Sequence, residues 1–145
     1  DVQQAKIFGL CKQSTGIDSF HDLVDLVMCQ EPYQSAHRVF WVTDNGSSHR
    51  GQTAIDRLKS WYPNAIQVHT PIHASWLNQI EIYFSVLQRK VLTPNDFESL
   101  DDLENRILSF QTVYEEVAKP FEWKFTREDL KNLLSRLEEK QKLAA

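Results

Sequence analysis

Two carboxylates stand where a protein can put them to chemical use. Asp44 follows Val39-Phe40-Trp41-Val42-Thr43, a β-branched and aromatic run that reads as a short strand, and it opens Asp44-Asn45-Gly46-Ser47-Ser48, a cluster of turn formers. Ligand sites in open α/β sheets gather outside the carboxyl ends of strands, so an aspartate at that junction is placed for binding. It is equally placed to cap the Asn45-Gly46 turn, and position alone does not choose between the two. Glu81 lies in a stretch of helical periodicity, beside Leu77, Ile80 and Phe84 rather than opposite them. On its own it reads as a solvated helix-face carboxylate. Together, a carboxylate at a strand end and another on a neighbouring helix can hold hard, oxygen-seeking Mg²⁺ ions. Phosphodiester chemistry uses two such ions roughly 4 Å apart, one activating the attacking oxygen and the other stabilising the leaving oxygen.

The elements that must position this pair can be read from the pattern. Residues 4–11 have a short apolar centre and are expected to form a strand. Phe20, Leu23, Val24, Val27 and Met28 recur at helical spacing, with Asp18 or Ser19 as cap and Pro32 as stop. Val39–Thr43 is apolar without alternation, which predicts a central strand buried on both faces. A helix is expected from about Gly51 to Tyr62, with Ile55 and Leu58 inward, and then a second strand over 65–69. Strand, helix and strand in that order make a βαβ unit. Thr70-Pro71 opens a loop, and a long helix is predicted from about Ser75 to Leu92, with Leu77, Ile80, Phe84, Leu87 and Val91 buried. Ser99 with Asp102, and Thr126 with Asp129, form two capping boxes ahead of further helices. The first of those helices carries Leu103, Ile107, Phe110, Tyr114 and Val117; the second carries Leu130, Leu133, Leu134 and Leu137.

Composition bounds the reading. The 145 residues suit one domain, and 41% hydrophobic with 25% charged residues is ordinary for a globular protein. No apolar run approaches the roughly 20 residues that span a bilayer, and Asp1-Val2-Gln3-Gln4 lacks the features of a signal peptide, so a cytoplasmic location and no membrane contact are expected. Cys11 and Cys29 form no CxxC pair and read as reduced thiols. The net charge of −4 lacks the basic excess of a self-sufficient DNA-binding domain, so any grip on DNA must come largely from elsewhere.

Two longer stretches carry a family resemblance. Val42-Thr43-Asp44-Asn45-Gly46-Ser47-Ser48-His49 resembles the second-aspartate motif of IS630-type transposases in the Tc1/mariner superfamily. His73-Ala74-Ser75-Trp76-Leu77-Asn78-Gln79-Ile80-Glu81-Ile82-Tyr83-Phe84-Ser85 resembles the third-carboxylate motif of the same family, with Glu81 37 positions after Asp44. The resemblance runs on through Leu87-Gln88-Arg89-Lys90 to Trp123-Lys124-Phe125-Thr126. It implies a DDE transposase with an RNase H-like fold and Mg²⁺ (or Mn²⁺) held by Asp44 and Glu81. Its action would be cleavage at transposon ends and joining of the freed 3′-hydroxyl to target DNA, commonly at a TA-containing site. Water and then the 3′-hydroxyl would be the nucleophiles, with no covalent protein–DNA intermediate.

The expected fold class is α/β: a partial RNase H-like fold, with a short mixed sheet and flanking helices over residues 1–95, followed by a C-terminal helical extension of the same domain over 96–145. His49, Asn78, Arg89 and Lys90 are candidate DNA contacts, each with a plain alternative: a loop histidine, a helix-start cap and a solvated basic pair. Trp76 reads as core, and Phe121, Trp123 and Phe125 as packing for the terminal helices. His69 and His73 are separated by Pro71 and do not make a zinc pair. The resemblance implies three carboxylates, yet none of Asp1, Asp18, Asp22 and Asp25 matches the first-strand motif. The expectation is therefore a truncated or split-frame fragment, inactive alone, whose partner is full-length transposase or a second-frame product. A non-catalytic module that associates with intact transposase and an RNase H-like nuclease are the alternatives.

Overall fold

A computed structural model describes residues 1–72, 78–120, 126–129, 131, 132, 135 and 136. Six elements follow in order: α1 (Ile17–Met28), β1 (Val39–Thr43), α2 (Gly51–Trp61), β2 (Ala65–His69), α3 (Ile80–Lys90) and α4 (Leu100–Val117). The two strands pair in parallel, Val39 opposite Ala65 through Thr43 opposite His69. The α/β class expected from the sequence is therefore present, consistent with a partial RNase H-like domain. The described sheet is purely parallel, however, where a mixed one was expected.

One side of this sheet makes the core. Val24, Val27 and Met28 of α1, Tyr33, Leu58 of α2 and Ala65 of β2 form one buried cluster, with Phe20, Val39, Trp41 and Trp61 packed around it. The helical spacing in α1 brings its three buried residues onto one face, as the pattern predicted. Between α1 and β1, Asn64 ties the connection down: its amide donates to the carbonyls of Tyr33 and Ala36 at 3.1 and 2.9 Å. The start of α1 differs from expectation. Gly16 is the cap and neither Asp18 nor Ser19 accepts a helix N–H; the Ser19 hydroxyl instead donates to the Ser14 carbonyl at 2.7 Å.

The other side of the sheet corrects a second expectation. Phe40 and Val42 are 61% and 52% exposed, and Val68 beside them is 42% exposed. Val39–Thr43 therefore has the composition of a strand covered on both faces, but only the face toward α1 and α2 is covered among the described residues. A groove of about 620 Å³ runs along the bare side, and Val42, Ile80, Tyr83 and Tyr114 all contribute to its walls.

Residues 4–11 do not form a strand. Their backbone is bound by side chains instead: the Ile7 N–H donates to Glu115 Oε1 and the Ile7 carbonyl accepts from Gln111 Nε2, both at 2.8 Å. Both partners lie on α4, whose Ser99 cap accepts from the Asp102 N–H at 3.1 Å as predicted. The second capping box also forms, with Thr126 and Asp129 bonded reciprocally. The α3 stripe is rotated from the expected one. Tyr83 and Leu87 are buried, Tyr83 packing edge-on against Tyr114 at 5.4 Å, while Ile80 and Phe84 are exposed. Leu77, Trp76, His73, Phe121, Trp123, Phe125 and the leucines 130, 133, 134 and 137 lie outside the described residues. Both cysteines are free thiols. No described helix is long and apolar enough to cross a membrane.

Candidate active site

Because β1 and β2 are parallel, their carboxyl ends leave the sheet at the same edge, and Asp44 is the first residue beyond β1 there. The loop that follows is built around its carboxylate. Asp44 Oδ1 accepts the Gly46 N–H at 3.1 Å, and the Gly46 carbonyl accepts the His49 N–H at 3.1 Å, closing the turn. The turn brings the His49 ring back over Gly46, so that Nε2 donates to the same Asp44 Oδ1 at 2.5 Å. Glycine is required for that approach. A Cβ at position 46 would lie 2.8 Å from His49 Cε1 and Nε2.

The turn-capping role and the binding role of Asp44 thus divide between its two oxygens. Oδ1 serves the loop, while Oδ2 takes no protein hydrogen bond among the described residues. The other ring nitrogen of His49, Nδ1, accepts from the Ser48 hydroxyl at 2.9 Å when the ring is neutral, and Phe20 of α1 braces the ring at 5.1 Å. Both nitrogens of His49 are therefore committed within the loop.

Three further elements anchor the loop from outside. Arg57 of α2 donates to the Ser48 carbonyl at 2.5 Å, and Asn45 donates to the Thr70 carbonyl at 3.0 Å. From β2, Gln67 Nε2 donates to the His49 carbonyl at 2.7 Å and to Thr43 Oγ1 at 3.1 Å, while His69 Nε2 donates to the same His49 carbonyl at 2.6 Å. Two donors on one carbonyl occupy both of its lone pairs. The alternation of β2 puts Gln67 and His69 on one face, the face Thr43 shares across the strand pair. Gln67 is 8% exposed and its Oε1 is buried with no partner among the described residues, at a cost of about 1–3 kcal/mol. Sequence reasoning missed Gln67 and Ser48 and weighed His69 only for zinc; the signal was the period-2 placement of two polar side chains in an otherwise apolar strand.

The hydrogen bond from His49 holds the Asp44 carboxyl below the usual aspartate range, helped by the Gly46 N–H and opposed by partial burial. A carboxyl depressed in the folded state adds stability that is present above its unfolded pKa of about 3.9 and is lost as pH falls through the lower folded value. A carboxyl-carbon NMR titration should therefore give Asp44 a midpoint below about 3.9, and His49→Ala should raise it. A midpoint unmoved by that substitution would show that the ring does not hold the carboxylate.

Glu81 sits in the first turn of α3, exposed, with a carboxylate that no described side chain bonds. Its position there suits a negative charge, since free N–H groups point out of a helix N-terminus. Asn78 is not on that helix, as the sequence pattern had placed it. It precedes the Gln79 cap, and its own carbonyl accepts the Glu81 N–H at 3.1 Å. Arg89 and Lys90 are exposed in the last turn of α3. Among the other aspartates, Asp22 pairs with Lys12 at 2.7 Å, and Asp25 accepts from Tyr62 at 2.8 Å.

Asp44, with one uncommitted oxygen, and Glu81, bonded by no described side chain, are each of the anionic oxygen type that a hard divalent cation takes. No group of three or more His, Cys, Asp or Glu side chains converges among the described residues. An ion such as Mg²⁺ takes one or two carboxylates and fills its remaining positions with water and phosphate oxygens.

Comparison with known proteins agrees in kind. No curated protein and no solved structure matches the chain. The sequence profile of the DDE superfamily endonucleases matches residues 1–104, a span that includes Asp44, the loop that holds it, and Glu81. Domains of this type act on DNA and generally use divalent metal ions. With 104 of 145 residues matched, the chain belongs to the DDE superfamily endonucleases.

Proposed function

We propose that the chain is part of the catalytic domain of an IS630-type transposase of the Tc1/mariner superfamily, carrying the second and third metal-binding carboxylates as Asp44 and Glu81. The observation that carries this reading is the state of Asp44. It stands at the carboxyl edge of a parallel sheet with Oδ1 fixed by His49 and Gly46 and Oδ2 left open among the described residues. A carboxylate serving only as a turn cap needs no second clamp on the same oxygen.

Mg²⁺ or Mn²⁺ bound by these residues would lower the pKa of a bound water and offset charge on the phosphate. The work of the chain's own residues is then positional. Asp44 presents Oδ2 in one orientation, and Glu81 presents its carboxylate from the first turn of α3. Arg89 and Lys90, one end of the same helix, supply phosphate contacts; Asn78 and the His49 loop border the site and contact the strand being cut. Such positioning is the main contribution a protein makes to phosphoryl transfer between oxygens. The substrates are transposon ends and a TA-containing target, and the chain acts in the cytoplasm.

Of the three carboxylates implied by the resemblance, the chain has matches for two, so the first is supplied by a segment encoded upstream in the same or a second frame. By itself the chain binds metal but does not cut. Calorimetric titration with Mn²⁺ tests this. Binding is expected, and Glu81→Ala should weaken it at least tenfold; an affinity unchanged by that substitution would remove Glu81 from the site. The same protein with duplex DNA copied from the repeats flanking its gene should give no cleavage. Cleavage without a strand-joining product would favour a simple nuclease. Absence of metal binding, with co-purification of intact transposase, would favour a non-catalytic module.

A further inference from the structure

Gln67 is an unusual residue to bury in a two-stranded sheet. It lies on the face that covers the core, its Oε1 has no partner among the described residues, and an aliphatic side chain there would remove that unmet polar atom. Its amide nitrogen nevertheless spans two pieces of chain, Thr43 at the end of β1 and the His49 carbonyl across the loop. His69, two residues on and on the same face, meets the same carbonyl from a second direction. Because a carbonyl only accepts, His69 must carry its proton on Nε2. The 3.4 Å approach of Gln67 Nε2 to His69 Nε2 is then a contact of two donors converging on one acceptor rather than a bond between them.

The connection continues to the carboxylate. The backbone of His49 is fixed by these two donors, its ring is braced by Phe20 and stands over Gly46, and Nε2 ends on Asp44 Oδ1. The orientation of Asp44 is thereby set from β2, a strand that contributes no ligand of its own. We propose that Gln67 and His69 are positioning residues for the metal-binding carboxylate, acting through His49 to turn Asp44 Oδ1 inward and Oδ2 outward. The proposal deepens the reading of Asp44 as a metal ligand and rests on it for its consequence in metal binding. The geometry it describes is a property of the chain itself. Partners that orient a ligand are worth about 10- to 100-fold in metal affinity in other metalloproteins.

The test uses three variants and two readouts. Hydrogen exchange of the Gly46 amide, whose N–H is bonded to Asp44 Oδ1, reports the loop without metal. Mn²⁺ titration reports the presented oxygen. His69→Phe should speed Gly46 exchange and weaken Mn²⁺ binding about tenfold. His69→Gln, which keeps an Nε2–H donor at a similar reach, should restore both. Gln67→Leu should weaken Mn²⁺ binding while the melting temperature holds or rises, since the unpartnered Oε1 is gone. A purely structural role predicts the opposite pattern for Gln67→Leu, lost stability with affinity intact, and that result would overturn the proposal. So would wild-type Gly46 exchange in both His69→Phe and Gln67→Leu. If His69→Phe does not fold, Gln67→Leu decides. If the unmodified chain binds no Mn²⁺, the metal-ligand reading of Asp44 fails, and the Gly46 exchange rates still decide whether β2 positions the loop.

Discussion

Asp44→Ala should abolish Mn²⁺ binding within the range a calorimeter can read, a loss of a hundredfold or more. The size follows from the geometry. Outer partners that only orient a ligand are worth about 10- to 100-fold, and removing the ligand itself must exceed them. Two effects combine at this residue. The anionic Oδ2 disappears, and the loop loses the acceptor on which the Gly46 N–H and the His49 ring both converge. Asp44→Asn separates them. Its side-chain oxygen can still accept from Gly46 and His49, so the turn should survive while the charge is lost. A weak site in Asp44→Asn with a normal fold would assign the effect to charge. Undiminished Mn²⁺ affinity in Asp44→Ala would dismiss Asp44 as a ligand altogether.

The second large effect lies in the core. Leu58 is fully buried on α2, in one cluster with Val24, Met28 and Ala65. Truncation to alanine removes three carbons from a site that cannot collapse easily, because the strand and both helices are held by their own backbone bonds. The expected cost is about 2–5 kcal/mol, set against a total of roughly 5–15 kcal/mol for a domain. Urea unfolding followed by tryptophan fluorescence should show a lower midpoint with an unchanged slope, since the same surface is exposed on unfolding. A loss below about 1 kcal/mol would mean that the space around Leu58 repacks.

Both effects concern residues whose positions can be read in the sequence, because local pattern governs them. β1 and β2 occupy 39–43 and 65–69 as the β-branched runs and flanking turn formers indicated, and α2 ends one residue before the expected Tyr62. The strand-end position of Asp44 follows from those boundaries. What local pattern cannot carry is the identity of partners far away in sequence. Phe40 and Val42 have the composition of covered residues, but cover is a matter of what packs on them, which no window of β1 encodes. Ile7 sits in an apolar run that suits a strand, yet its hydrogen-bond groups are met by Gln111 and Glu115. The α3 stripe differs from its expected position for the same reason. Tyr83 and Ile80 both lie on apolar arcs of the helix, and Tyr114 of α4 decides which is buried. The clamp of Gln67 and His69 on the His49 carbonyl depends on the register of β1 against β2, which parallel pairing sets only once the crossover through α2 is complete.

The bonds from Ile7 to α4 also set a timetable for synthesis. Their donors and acceptors are separated by 104 and 108 positions in the chain. At a translation rate of roughly 5–20 residues per second, Ile7 leaves the ribosome on the order of 5–20 s before Gln111 and Glu115. Throughout that interval α1, β1, α2 and β2 can assemble from neighbouring segments, and Asp1 and Phe8 can already meet Tyr33, while the backbone groups of Ile7 have only water for partners. The Ile7 backbone is thus among the last of the described groups to find its protein partners, and a ribosome paused before α4 would hold a nascent chain in which it is still open.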